Sequence, residues 1–344
     1  MRSKPLAVTI QDVARAAGVS VTTASRVLNN KDDVAPATYE KVRRVMQELN
    51  YTASLAAKSM RSHTAKVIGL LVPEVVEVYN QEIIKGVGAA IRDSGYDLMI
   101  YTGGRPAGAS WELEHVALLS NGLTAGCIVV TPAAPRFPNG VKVVVIDPQG
   151  DGSTVPSVIA RNRVGALAAM EYLIGLGHRR IGFIGGRANT LSGIRRFEGY
   201  KDGLTAAKIA FDPTLVVAGD YTYERGVVAA RQLLRQEQRP TAIFAANDRS
   251  AIAVLDVARE LGLQVPTDVS VVGFDNVPEA AEATPRLTTV DQSIREMGRI
   301  ATNLMLGWLR GETPDTPFVK VATRLIVRDS CQAPARGKTD GRWQ

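Results

Sequence analysis

The chain has little of several things that would place a protein quickly. It holds two cysteines in 344 residues, Cys127 and Cys331. They are too few and too far apart for a disulfide framework or a cysteine-held metal. Its three histidines, His63, His115 and His178, are scattered, with no pair at the helical spacing of a metal site. The longest apolar runs, over 67–73 and 127–131, fall far below the roughly 20 residues of a membrane span. No apolar h-region follows Met1-Arg2-Ser3-Lys4, so no signal peptide is expected. Intact nucleotide fingerprints are missing too. Gly86-Val87-Gly88 lies in a helical pattern without a third glycine, and Gly175-Leu176-Gly177 closes a helix ahead of a strand, the reverse of the required order. A P-loop and a G-x-S-x-G elbow are absent. The expectation is a non-enzyme with no catalytic residues, no metal and no cofactor.

What is present is an ordinary globular balance: 45% hydrophobic, 22% charged, 31 Gly and 17 Pro. That excludes a collagen, a coiled-coil rod and a mostly disordered chain, and the length suggests two or three domains. The net charge of +7 is unevenly placed. Residues 1–66 carry 11 Lys and Arg against 5 Asp and Glu, whereas residues 67–333 carry 27 against 28. A small basic module on a near-neutral body points to a polyanion as the module's partner.

The basic module reads as three short helices. Thr9 can cap a helix in which Asp12 stands three residues on. Gly18-Val19-Ser20 breaks it, and Ser20 can cap a second helix over 21–28 with Ala24, Val27 and Leu28 inward. Pro36 suits the first turn of a third, carrying Tyr39, Val42, Val45, Met46 and Leu49. Two helices joined by a glycine-containing three-residue turn make a helix-turn-helix pattern. The outward residues of the second helix are Val21, Thr22, Ser25 and Arg26, which offer a methyl-bearing contact, hydroxyls and a guanidinium to a major groove. A trihelical domain without a ligand would show the same local pattern.

The string Val19-Ser20-Val21-Thr22-Thr23-Ala24-Ser25-Arg26-Val27-Leu28-Asn29, preceded by Thr9-Ile10-Gln11-Asp12-Val13-Ala14, resembles the headpiece of the lactose-repressor (LacI/GalR) family of bacterial transcription regulators. Ala24 replaces the family's usual Val. The resemblance runs through roughly residues 8–330. It implies that Val21, Thr22 and Arg26 read bases, Arg26 from a guanine edge. Thr9, Ser20, Thr23, Ser25, Asn29 and Tyr51 would then be phosphate-side or packing residues. It also implies that residues 52–64, Ala-rich and too short for a stable isolated helix, form a hinge helix on operator DNA, with Ala57 and Met60 at the DNA. Met60 stands where the family's minor-groove wedge is Leu, and Ala53 where its helix start is Pro. A plain linker is the alternative.

From Lys66 onward apolar strands alternate with helices. Strands are expected over 67–73, 98–102, 127–131, 142–147, 181–186, 215–218, 242–245 and 269–275. Helices are expected over 81–93, 165–176, 224–236 and 250–261. Two such sets predict two Rossmann-like lobes with parallel sheets and ligands at the carboxyl ends of strands. This resembles the periplasmic-binding-protein fold. Further stretches match the family, among them Gly177-His178-Arg179-Arg180-Ile181-Gly182-Phe183, Ala246-Asn247-Asp248 and Val265-Pro266-Thr267-Asp268. His178 is expected to be structural, Cys127 buried filler, and Asp248 a cap.

Where the family has its cleft contacts, this chain has Tyr79, Asn80, Arg161, Arg196, Tyr221, Asn247 and Asp275. Tyr, Arg, Asn and Asp together suit a polyhydroxylated ligand, although a nucleoside or purine could use the same set. Arg161, in place of the usual acidic residue, could favour a sugar acid or phosphate, or could point to solvent. Trp111 could be a sugar platform or a packing residue. Arg196 and Asp275 could instead pair with each other.

The fold class expected is therefore α/β, an N-terminal helix-turn-helix headpiece with a two-lobed periplasmic-binding-protein-like body. The boundaries are 1–51 for the headpiece, 52–64 for the hinge, 65–333 for the body and 334–344 for a polar tail. Within the body, lobe 1 takes about 65–163 and 292–322, and lobe 2 about 164–291 and 323–333. The expected function is a cytoplasmic homodimeric repressor of pseudo-palindromic operator DNA, controlled by a small effector, foremost a carbohydrate. A purine- or sugar-acid-responsive regulator and a stand-alone solute-binding protein are the alternatives.

Overall fold

The structure, a computed structural model, describes residues 8–28, 30–31, 33–51, 65–103, 109–150, 152–312 and 318–334. The predicted hinge, with Ala57 and Met60, lies outside the described residues, as does Asn29. The chain divides into two compact units, Met1–Ala65 and Lys66–Gln344.

The first unit contains α1 (Ile10–Ala17), α2 (Val21–Leu28) and α3 (Pro36–Glu48). Thr9 and Asp12 form the reciprocal capping box, and the chain leaves α1 through Gly18 at φ 62°, the left-handed turn that favours glycine. Ser20 accepts the Thr23 backbone N–H at 3.0 Å. Val13, Ala17, Ala24, Val27 and Val42 are fully buried at the centre of the bundle. Leu28, Tyr39, Val45, Leu49 and Tyr51 pack around them, only partly covered.

The second unit holds two six-stranded sheets. The first is built from β1 (Val67–Val72), β2 (Asp97–Thr102), β3 (Gly126–Val130), β4 (Val143–Ile146), β5 (Ser157–Ala160) and β11 (Phe318–Val321), in spatial order 11-5-4-3-1-2. The second takes β6 (Ile181–Ile184), β7 (Val216–Val217), β8 (Ala242–Ala245), β9 (Ser270–Asp275), β10 (Thr288–Asp291) and β12 (Arg324–Ile326), in order 12-10-9-8-6-7. Every described pairing is parallel except β10 with β12. β1, β3, β4, β6, β8 and β9 are buried along their whole length. That explains their unbroken apolar runs, because a parallel sheet is covered on both faces.

Sheet membership changes three times along the chain: between β5 and α6 (Asn162–Gly175), between β10 and α11 (Ile294–Leu309), and between β11 and β12. The helix expected at 81–93 starts earlier, as α4 (Val78–Ile91), so Tyr79 and Asn80 stand in its first turn. Gly86, the first glycine of Gly86-Val87-Gly88, has a packing cause: a Cβ there would lie 2.0 Å from the Arg295 carbonyl oxygen, and one on Gly298 2.5 Å from that of Ile83, whereas a Cβ on Gly88 would meet nothing within 4 Å. Small residues let α4 and α11 touch backbone to backbone. Several elements had no counterpart among the expected ones: β5, α7 (Leu191–Ala206), α10 (Pro278–Glu282), β10, α11, β11 and β12. Two further helices lie in this unit, α5 (Ala109–Ser120) in the first lobe and α8 (Tyr223–Leu234) in the second, together with α9 (Asp248–Glu260).

Candidate functional site

At the carboxyl ends of the strands the two sheets enclose a cavity of about 170 Å³. Several strands end in the same way. Thr131 after β3 (φ 46°), Asp147 after β4 (φ 50°) and Asp275 closing β9 (φ 119°) all hold left-handed backbone, as does Tyr221 (φ 75°). All four line the cavity. Such conformations are unfavourable for non-glycine residues and concentrate at functional sites. Here each turns a side chain off the strand axis into the cleft.

Arg196 stands within α7 and is almost completely buried. Its Nε donates to Asn162 Oδ1 at 2.8 Å, and Nη1 donates to the Ala246 carbonyl at 2.5 Å and to Asp275 Oδ1 at 3.1 Å. Nη2 donates to Gln292 Oε1 at 3.3 Å. Its carbon lies 3.8 Å from the Phe274 ring centre and 5.7 Å from that of Tyr221. The Arg196–Asp275 pair left open by the sequence is therefore formed. Burial works against the Arg196 charge, but Asp275, Tyr221, Asp147 and Tyr79 hold its pKa above the usual value. Asp275 also accepts from Gln292 Nε2 at 2.5 Å on Oδ1. Burial pushes its carboxyl up to about 6, against the lowering pull of Arg196.

Asn247 caps α9, accepting the Ser250 N–H at 3.1 Å, and donates to the Tyr221 carbonyl at 2.9 Å. Its amide is largely committed to holding Tyr221. That ring lies on Gly186, where a Cβ would come within 2.1 Å of Tyr221 Cζ, and its hydroxyl bonds Ser192 Oγ at 3.1 Å. Asn80 is buried and donates to the Glu74 carbonyl at 2.6 Å, anchoring the loop after β1.

Two lining groups stand out: the Tyr79 hydroxyl, shut from solvent and without a hydrogen-bond partner among the described residues, and the buried Asp147 carboxyl, which feels the charge of Arg196. Burial raises the pKa of both, Tyr79 well above its ordinary value. Asp147 is also the foremost charge acting on Tyr79. Sequence reasoning missed Asp147 as a site residue, though it closes the predicted strand 142–147; its position at a strand end was the available signal. It also missed Gln149, Arg187, Thr190, Ser192, Asp220 and Thr222, which sit in loops and on α7.

Arg161 is a correction. Its side chain is exposed and is not among those lining the cavity. Its backbone N–H bonds the Val321 carbonyl at 2.9 Å, at a crossing between sheets. Trp111 is also outside the lining; it packs on Tyr101 and His115, with ring centres 6.0 and 4.8 Å away. Asp248 is wholly buried, taking the Val277 N–H at 2.9 Å and the Thr289 hydroxyl, a structural role. His178 is buried and structural, but it ties strand starts to the C-terminal segment: Nδ1 meets Thr241 Oγ1 at 2.9 Å, and Nε2 meets the Gln332 carbonyl at 2.9 Å. Across the mouth of the cleft, Arg249 on α9 pairs with Glu77 beside α4, and Leu191 N–H bonds the Gln149 carbonyl at 2.8 Å.

In the first unit, Val21, Thr22, Ser25 and Arg26 line a shallow groove together with Ile10, Gln11, Lys31 and Asp33. Val21, Thr22 and Arg26 are exposed, while Thr23 and Ser25 are partly covered. Thr9 and Ser20 are engaged as helix caps, and Tyr51 packs on the bundle.

Comparison with known proteins agrees with both units. Residues 9–54 match the model of bacterial regulatory proteins of the lacI family, and residues 170–331 that of a periplasmic binding protein-like domain. The HTH-type transcriptional regulator CelR of Thermobifida fusca is 35% identical over 337 residues, covering 94% of this chain and 98% of that protein. The HTH-type transcriptional repressor PurR of Vibrio atlanticus (strain LGP32) is 32% identical over 330 residues, covering 94% and 98%. Among solved structures, a CelR–cellobiose complex aligns with TM-score 0.71 at 33% identity over 94% of this chain and 99% of that one. A lac repressor dimer bound to operator and the anti-inducer ONPF aligns with TM-score 0.79 at 26% identity, over 95% and 100%. A helix-turn-helix unit joined to a two-sheet body with a polar cleft at its strand ends defines a DNA-binding transcriptional regulator. The chain belongs to the lacI family of bacterial regulatory proteins.

Proposed function

We propose that this regulator is a homodimeric repressor whose operator affinity is set by a small, uncharged, polyhydroxylated molecule, a sugar, bound in the interlobe cleft. The observation that carries this is the chemistry of the lining. Tyr79 presents a buried hydroxyl without a hydrogen-bond partner among the described residues, and Asp147 a buried carboxyl near the charge of Arg196. A hydroxyl, which both donates and accepts, satisfies the two together. The lining carboxylates of Glu74, Glu77, Asp147, Asp220 and Asp275 outnumber the guanidinium groups of Arg187 and Arg196. Arg196 is already occupied by protein partners. An anionic effector would therefore enter a cleft of its own sign, so a sugar acid or phosphate is disfavoured. That CelR has been seen with cellobiose supports the sugar reading; a purine, which the same residue types could hold, is the competing one.

The proposed contacts in the cleft are Tyr79 and Asp147, within a frame of Asn80, Arg196, Tyr221, Asn247 and Asp275 that shapes the site, and Val21, Thr22 and Arg26 are the proposed contacts at base edges. Thr9, Ser20, Thr23, Ser25, Asn29 and Tyr51 support the phosphate side. Ala57 and Met60 act at the hinge. A thermal-shift screen of neutral sugars, sugar acids and purines tests the reading, because a ligand that binds only the folded state raises its stability. Neutral sugars are expected to stabilise the protein and to change operator affinity. Stabilisation by purines alone would replace the sugar with a base, and by sugar acids alone would overturn the charge argument.

A further inference from the structure

Among the described residues, the groove on the outer side of α2 contains one acidic side chain, Asp33, in the segment between α2 and α3. It faces Arg26 side-on: Arg26 Nε donates to Asp33 Oδ1 at 3.0 Å, and Nη2 donates to Oδ2. This engagement uses one edge of the guanidinium. The other edge, Nη1 with the second hydrogen of Nη2, has no partner among the described residues. Two parallel N–H groups on that edge are what a guanine's O6 and N7 accept.

The pair's location argues against a stabilising role. Both side chains are about half exposed, 51% and 52%, and ion pairs so exposed contribute little to stability. A carboxylate in a groove that meets a phosphate polyanion also weakens sequence-independent attraction. What the pair does supply is order. A free arginine side chain must lose its rotamer freedom on binding, and one already held in a planar, two-bond clamp has less to lose.

We propose that Asp33 is a specificity-positioning residue: it clamps Arg26 side-on, presents the free guanidinium edge to a guanine, and by its charge suppresses binding to non-cognate DNA. The inference rests on Arg26 being a base contact, as proposed above.

The test uses the full chain. A randomised duplex library selected on the wild-type protein defines the preferred site. Affinities are then measured at one salt concentration for that site, for single-base changes in it, and for a scrambled duplex of equal length. In Asp33→Asn, preference for guanine at one symmetric pair of positions should fall about tenfold per half-site, while scrambled-duplex binding strengthens severalfold. Asp33→Glu, which keeps the charge, should retain more of the preference than Asp33→Asn. Unchanged preference in Asp33→Asn overturns the inference. So does tighter binding to the preferred site with preference intact, which would make Asp33 a shield over Arg26. Arg26→Ala separates the two layers. If it leaves every position's preference intact, the base-contact assignment fails; if it erases the guanine preference while Asp33→Asn does not, only the positioning role fails. Melting curves of the variants should match wild type.

Discussion

Arg196 brings a charge into a place almost closed to water, and its neighbours are arranged around that fact. Each nitrogen has a protein acceptor, and Phe274 lies against the guanidinium face. Among the lining residues left to meet a ligand are Tyr79, whose hydroxyl has no partner among the described residues, and Asp147. Tyr79→Phe removes a hydroxyl that has no hydrogen-bond partner among the described residues, so the melting temperature should stay unchanged. Affinity for the effector should fall roughly 3- to 10-fold, the worth of one hydrogen bond; titration calorimetry beside a melting curve separates the two. Asp275 allows a signed prediction in pH. Its folded-state pKa is raised to about 6, so the native state holds the proton more tightly than the unfolded chain. The stability it contributes is full below about pH 4 and is lost as pH rises through about 6, at most about 3 kcal/mol. Asp147 and Asp248 are shifted in the same direction. Asp275→Asn should therefore flatten, without abolishing, the decline in melting temperature between about pH 4 and 7. At this scale the residue types of the cleft were legible in the sequence. Their commitments were not, because whether Asn247 serves a ligand or the Tyr221 carbonyl depends on what folding brings within 3 Å.

At the scale of elements, local chemistry was a good guide wherever it was strong. The capping box of α1, the glycine turn and Pro36 mark three helices whose residues carry their own start and stop signals. The apolar runs of β1, β3 and β8 likewise need both sheet faces covered. β12 and β5 are three and four residues long. They carry no alternation of their own, and their strand character comes from the neighbours they pair with. Glycine tells the same story from another side. Gly186 is needed because the Tyr221 ring occupies the space of its missing Cβ, a demand invisible in the local string. Gly186→Ala should push the ring aside and break its contact with Ser192. The expected result is at least tenfold weaker effector binding with the DNA-binding unit still intact, read as unchanged operator affinity in the absence of effector. Weakened effector-free operator binding would show that the change is not confined to the cleft.

The whole molecule has an acidic-lined cleft in one unit and a basic surplus in the other. Operator binding should therefore be steeply salt-dependent, with a log–log slope of about −5 to −9 for a dimer contacting several phosphates on each half-site. A slope near zero would contradict the polyanion reading of the basic unit. Neutral effectors should shift the whole curve with little change of slope, since they alter the population of the binding form and not the number of phosphates met. The charge partition, the helix-turn-helix and the alternating strands and helices could all be read before folding, because each follows from composition or short-range periodicity. The order of the strands, the three crossings between sheets, the exclusion of Arg161 from the cleft and the Asp33 clamp on Arg26 could not. Each depends on residues distant in sequence meeting at a few ångströms. Those meetings are decided by which faces bury together and which strand ends converge, and only the tertiary structure determines that.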